Sequence, residues 1–194
     1  MEKIEKIKEI VEKNKGILYV KDLEKYNIHR QYLKKLEEIG YLRKVARGLY
    51  VKQDREVNEF FVIGQRYESG IYSHNTALYF YNLTDRTPLK LDMTFPSNIR
   101  IKNDIIRSHY IKDENYLLGL TNMELKDGTS IKIYNLERTI CDIIRDKNKI
   151  DPQIFNTAMK GYSKINNKDF YLLSKYAKEL KIQNKLQQYM EVLD

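Results

Sequence analysis

One cysteine and no tryptophan stand in a chain of 194 residues. A lone Cys141 forms no intramolecular disulfide and makes no zinc site by itself, which excludes a secreted disulfide scaffold and a Cys-rich metal finger. No uninterrupted apolar run reaches the ~18 to 20 residues of a membrane span. The opening MEKIEKIKEIVEK alternates charges where a secretory signal needs an apolar stretch, so the chain is expected in the cytoplasm. Internal repeats, low-complexity tracts and Gly-rich phosphate loops are all lacking, and no cofactor is expected.

What is present is an apolar fraction of 42%, enough to fill real cores, and a formal charge of +8. The length allows one domain or two small ones. The charge is unevenly placed: residues 28–52 carry seven Lys and Arg against two Glu, whereas residues 55–194 hold 21 against 18 Asp and Glu. A short basic segment of this kind suggests a polyanion partner.

The same region has a readable pattern. Ile4, Ile7, Ile10 and Val11 recur at helical spacing in a Glu/Lys background, predicting a helix over 2–15 that stops near Gly16. An extended piece, 17–20, and a brief helix, 21–26, follow, and Asn27 tolerates the left-handed conformation of a tight helix-to-helix turn. Ile28, Leu33, Leu36 and Ile39 mark a third helix, 29–39, before Gly40, with Arg30, Gln31, Lys34 and Lys35 among its non-core positions. Tyr41–Val51 then reads as two β-prone runs around a basic, Gly-containing turn, a hairpin. Helix, short helix, turn, helix and hairpin make a winged helix-turn-helix. Its third helix is free to enter a major groove, and the hairpin tip carries Lys44 and Arg47 toward phosphates or the minor groove.

The polar stretch 52–57 reads as a linker, dividing a DNA-binding domain (1–52) from a second domain (57–194). In the second, helices are expected over 57–67 and, capped by Ser73, over 74–81; strands over 89–95, 105–111 and 130–134; and helices from Leu136 onward. The fold class is thus α+β: a winged helix-turn-helix, then a domain with a small, mostly antiparallel sheet and a helical C-terminal half.

Several stretches together resemble a known family. Residues 26–50, ending in Arg47-Gly48-Leu49-Tyr50, are similar to the winged helix of the AbiEi antitoxins of abortive-infection, type IV toxin–antitoxin systems. The likeness continues in Tyr72-Ser73-His74-Asn75-Thr76-Ala77-Leu78, in Thr94-Phe95-Pro96 and in Leu136-Glu137-Arg138-Thr139-Ile140-Cys141-Asp142, in order along nearly the whole chain. Asn27 stands where many relatives have Gly, and His29, a weaker N-cap, where many have Ser or Thr. The resemblance implies a non-catalytic autorepressor that binds double-stranded operator DNA at inverted repeats and whose C-terminal domain counteracts a nucleotidyltransferase toxin. It carries the DNA-contact role to Arg30, Gln31, Lys34, Lys35, Arg43, Lys44 and Arg47. Ser73, His74, Glu137, Arg138 and Asp142 form the second domain's motif, with Arg138 and Asp142 at the i,i+4 spacing of an ion pair.

Enzymatic readings find weaker support. Ser73, His74 and Asp142 contain the residue types of a hydrolytic triad, but adjacent residues at a helix start are not expected to face one another. Asp104 with Glu124-Leu125-Lys126 holds the elements of a magnesium-dependent nuclease, in a chain where Glu-x-Lys is common. His29 and His109 stand apart from other ligand types, and no metal site is expected. A regulator without a toxin partner remains the blander alternative.

Overall fold

The computed structural model describes residues 2–193. Contacts divide the chain into two units: residues up to Glu68 together with Leu125–Thr129, and Ser69–Glu124 together with the residues from Ser130 on. Among the described residues no helix is long and apolar enough to cross a membrane.

The first unit opens with α1 (Glu2–Lys13), which buries Ile7, Ile10 and Val11. Gly16, at φ 84°, closes it by donating its N–H to Val11 O. Strand β1 (Ile17–Tyr19) and the short α2 (Val20–Glu24) follow. Asn27 takes φ 51°, the left-handed turn expected between the helices. Helix α3 spans Gln31–Glu38 and buries Leu33 and Leu36. It is shorter than predicted, and Ile39 lies past its end, 61% exposed rather than in the core. Strands β2 (Leu42–Ala46) and β3 (Leu49–Lys52) form the hairpin, with Gly48 at φ 73° in its tip. Strand β1 pairs with the far side of β3, so the wing belongs to a three-stranded antiparallel sheet, β1-β3-β2. Ile7, Val11, Leu18, Leu23, Leu36 and Leu42 join one core under the helices, so α3 is positioned by packing against α1 and β2.

Helix α4 (Glu59–Arg66), capped by Asn58 Oδ1, packs against β2 and falls in the first unit. The contact division differs from the expected break at 52–57: that stretch is polar, but the helix after it packs against β2.

The second unit is built on a five-stranded sheet in the order β6-β5-β4-β8-β7. Its strands are β4 (Ile71–Tyr72), β5 (Leu91–Pro96), β6 (Ile106–Ile111), β7 (Leu120–Glu124) and β8 (Ser130–Tyr134), with α5 (His74–Phe80) and α6 (Asp113–Tyr116) between them. The α+β class is as read from sequence. The sheet, however, is mixed: β5–β6 and β4–β8 run parallel, β4–β5 and β7–β8 antiparallel. The two-residue β4 is too short to leave a periodic signal, and without it the parallel pairing is invisible. Strand β7 also escaped the sequence reading.

The helical half comprises α7 (Leu136–Arg145), α8 (Pro152–Ser163), α9 (Phe170–Glu179) and α10 (Gln183–Leu193). Side-chain caps start three of them: Asn135 Oδ1 accepts from Arg138 N, Asp151 Oδ1 from Gln153 N, and Asp169 Oδ1 from Leu172 N. Ile140, Ile143, Ile144, Phe155, Met159 and Leu173 form the core beneath them. Burying residues of this size stabilises the unit by roughly 1.5 to 3 kcal/mol each.

Candidate functional sites

The basic residues of the first unit sort into two groups. Arg30, Gln31, Lys34, Lys35, Lys44 and Arg47 are exposed. Arg30, Lys34, Lys44 and Arg47 line one groove of about 430 Å³ between α3 and the wing, together with Glu37 and Tyr50. Val20 N–H donates to Gly48 O at 2.8 Å, holding the wing tip against the start of α2 and so fixing the groove's second wall. Burial and the nearby Glu37 carboxylate raise the Tyr50 phenol's pKa against the opposing charge of Arg30, so it stays a neutral hydroxyl there.

Gln31 and Lys35 lie elsewhere on the exposed surface of α3. Arg43 is half-buried, and its guanidinium donates to Arg55 O at 2.7 Å, a bond internal to the first unit. The start of α3 is also unlike a Ser or Thr cap. Arg30 occupies the cap position without a side-chain bond, and His29 Nδ1 accepts from Gln31 N at 3.2 Å. The imidazole thus satisfies one of the helix's free N–H groups.

In the second unit, all five motif residues are buried. Arg138 Nε donates to Asp142 Oδ2 at 3.1 Å across one helical turn, as the spacing predicts. Its Nη1 donates to Asn115 O and Leu118 O, and its guanidinium lies 4.0 Å above the Tyr134 ring. Arg145 approaches the other Asp142 oxygen at 3.0 Å. Glu137 Oε1 accepts from Asp169 N, tying the start of α9 to α7. These contacts are internal supports for the helical half.

Ser73 and His74 meet, although adjacent residues at a helix start are not expected to face one another. Ser73 Oγ makes no cap bond to α5 but lies 3.0 Å from His74 Nδ1 and accepts from Thr94 Oγ1 at 2.9 Å. The two adjacent side chains meet because His74 takes φ 47°, a left-handed conformation that turns it out of regular helical geometry. His74 Nε2 then reaches Asp146 Oδ2 at 3.2 Å, so the carboxylate beside it is Asp146 and not Asp142. A hydrolytic triad does not result. Ser73 is fully buried, and its hydroxyl oxygen is engaged by Thr94.

His109 completes the cluster. Its ring stacks on that of His74 with centroids 3.6 Å apart and planes 9° apart. Its Nε2 lies 2.6 Å from Asp92 Oδ1. Burial lowers the pKa of His109 against the pull of Asp92, and the neighbouring His74 adds to that lowering. The hydrogen bond from His74, together with Arg145 and Lys149, holds Asp146 well below the usual carboxylate range despite partial burial. These groups border a pocket of about 610 Å³. His109 looks isolated along the sequence, and nothing local marks Asp92 or Asp146. The parallel β5–β6 pairing, which sets Thr94 opposite His109, brings them together.

The nuclease elements are not assembled. Asp104 precedes β6 on one edge of the sheet and Glu124 ends β7 on the other. Four strand spacings, roughly 19 Å, separate those edges.

With this geometry in place, comparison with known families is decisive for one part of the chain. Residues 5–51 match the model of a family described as transcriptional regulator, AbiEi antitoxin. The first unit holds a segment similar to the AbiEi regulators. The match ends at Val51, within the last strand of the wing, so it spans α1 to β3 and includes the residues of the groove. No curated protein matches the chain.

Proposed function

We propose that this chain is a transcriptional autorepressor and antitoxin of a type IV, abortive-infection system. The AbiEi-type unit binds double-stranded operator DNA at inverted repeats, and the second unit counteracts a nucleotidyltransferase toxin. The observation that carries the reading is the groove bordered by Arg30, Lys34, Lys44 and Arg47 inside the segment matching the AbiEi regulators. In this reading α3 enters the major groove, about 12 Å wide, with Arg30 and Gln31 at its leading end facing base edges. Lys34 and Lys35 meet the flanking phosphates, and the wing brings Lys44 and Arg47 to the adjacent backbone or minor groove. Arg43 contributes by holding the wing to Arg55 rather than by touching DNA. The protein acts in the cytoplasm and catalyses no reaction of its own.

The test is co-expression with a nucleotidyltransferase encoded beside it. The full-length chain is expected to restore growth and to repress a reporter driven by its own upstream sequence. The Arg30→Ala/Lys34→Ala variant is expected to lose repression and keep rescue. Repression without rescue would instead favour a DNA-binding regulator that has no toxin partner, a reading supported by the family match falling on the segment of α3 and the wing.

A further inference from the structure

DNA binding by the first unit makes no use of the polar cluster in the second. His74 at the start of α5, His109 in β6 and Asp146 just past α7 each offer one ligand atom, and these atoms lie within 4.8 Å of one another. We propose that they form a binding site for a divalent transition-metal ion of the zinc class, with Ser73 and Asp92 orienting the two imidazoles.

The donor set decides the class of ion. Two imidazole nitrogens and one carboxylate oxygen suit zinc and its neighbours, whereas magnesium and calcium take oxygen ligands. The surroundings of each imidazole match a metal site as well. A ligating histidine normally has its second nitrogen held by a carboxylate, carbonyl or hydroxyl, which fixes the ring and raises its basicity. Asp92 Oδ1 holds His109 in this way at 2.6 Å, and Ser73 Oγ stands 3.0 Å from His74 Nδ1. A hydroxyl can donate or accept, so Ser73 serves the tautomer that leaves His74 Nε2 free for an ion.

Asp92 points the same way independently. It is 1% exposed and lines the pocket, yet its Oδ2 has no hydrogen-bond partner. A buried carboxylate with an unsatisfied oxygen calls for positive charge nearby. Arg107 stands 3.7 Å from the other oxygen and is half exposed, a weak compensation. A dication on His109 supplies charge one imidazole away. Arg107, Lys112, Arg145 and Lys149 also line the pocket, so an anion is the competing occupant, and the phosphate arm of the test below tells the two apart.

The distances suit an ion, and the orientation of one ring must change. Two ligands at zinc's usual bond lengths and tetrahedral angle lie about 3.4 Å apart, and His74 Nε2 and Asp146 Oδ2 are already at 3.2 Å. The stacked rings direct their in-plane lone pairs side by side, so His109 must turn about its Cβ–Cγ bond to share an ion. Its side chain is 19% exposed against 2% for His74, so it is the ring with room to turn. The exposed Lys149, on Asp146 Oδ1, can withdraw to solvent, and Arg145, 3.3 Å from Asp146 Oδ2, keeps its closer partner Asp142 at 3.0 Å when an ion takes that oxygen. The ion would tie α5, β6 and the end of α7 together, leaving a coordination position open to the pocket.

The test uses the full chain, stripped of metal with a chelator and dialysed. Zn²⁺ titration by calorimetry is expected to give one equivalent, and Co²⁺ to give the intense visible bands of a four-coordinate ion. With only three histidines in the chain, histidine-selective NMR reads the site without substitution: Zn²⁺ should move the imidazole nitrogens of His74 and His109 and leave His29 unchanged. His109→Asn and Asp146→Asn, placed on different elements, should each abolish the Co²⁺ bands. Asp92→Asn should weaken binding about 10- to 100-fold, and Lys112→Ala should not alter it. Circular dichroism establishes the fold of each variant. Absence of saturable Zn²⁺ binding by the folded parent would overturn the proposal. So would binding unchanged in both ligand variants, or stabilisation by inorganic phosphate with none by Zn²⁺.

Discussion

Gly119 lies directly against Arg138: a Cβ added at Gly119 would fall 2.5 Å from Arg138 Cβ, and Gly119 itself holds φ 77°. Only glycine adopts that backbone freely while letting the buried guanidinium side chain pass so close. Gly119→Ala is therefore expected to destabilise the second unit through both strain and overlap, with overlap alone worth about 1 to 3 kcal/mol. Chemical denaturation of the full chain measures it, and an unchanged midpoint would contradict this role for Gly119.

The Arg138–Asp142 pair gives a sharper test of the same support. Both side chains are fully buried, so removing one partner leaves the other charged and desolvated. Asp142→Ala is expected to cost on the order of 3 to 5 kcal/mol. Replacing the exposed Lys34–Glu38 pair on α3, at 3.9 Å, should cost at most a few tenths of a kcal/mol. Similar losses in the two cases would show that Arg138 is not held as the contacts describe.

Cys141 should be chemically silent. Burial pushes its thiol up to about 12, with the adjacent Asp142 adding to the effect, and the thiolate is the reactive form. Alkylation at neutral pH is expected to be very slow in the folded chain and fast once denaturant is added. Rapid stoichiometric labelling of the native protein would place the thiol outside the core.

Acid should weaken the first unit through Asp127. Partial burial works against its ionised form, but the Thr129 hydroxyl at 2.6 Å and the N–H groups of Asn58 and Thr129 prevail, and its carboxyl titrates below the ordinary value. A depressed folded-state pKa means that the unfolded chain takes up the proton first. Its contribution is complete above the ordinary carboxylate pKa of about 4 and fades as pH falls through the lower folded value. Asp127→Asn should flatten that part of the stability–pH curve below pH 4. An identical acid limb in variant and parent would rule the contribution out.

How far these features could be read in advance depended on how local their causes are. The winged helix was legible almost residue by residue, because Leu33 and Leu36 keep helical period, Asn27 supplies the left-handed turn and Gly48 the hairpin tip. Ile39 was misplaced because periodicity alone does not show where a helix stops. Arg138–Asp142 was legible for the same local reason, a single helical turn. Arg43 was not, since its partner Arg55 lies across the sheet edge and only pairing of the strands brings them together. The His74–His109 stack depended on two non-local facts: a parallel pairing of β5 with β6, and a positive φ at a non-glycine residue. Neither leaves a periodic trace in the sequence.

The central claim, that α3 and the wing form a DNA-binding surface, is tested most directly by fluorescence anisotropy of the full-length chain on its upstream DNA across a salt series. Arg30→Ala should weaken binding by about 1 to 3 kcal/mol, the worth of a lost base contact, and Lys34→Ala, which removes a phosphate contact, should weaken it and flatten the salt dependence. Arg47→Ala should make the slope of log affinity against log salt shallower by about one ion, while Arg43→Ala leaves the slope unchanged. Parental affinity and slope in the Arg30, Lys34 and Arg47 variants would contradict the account.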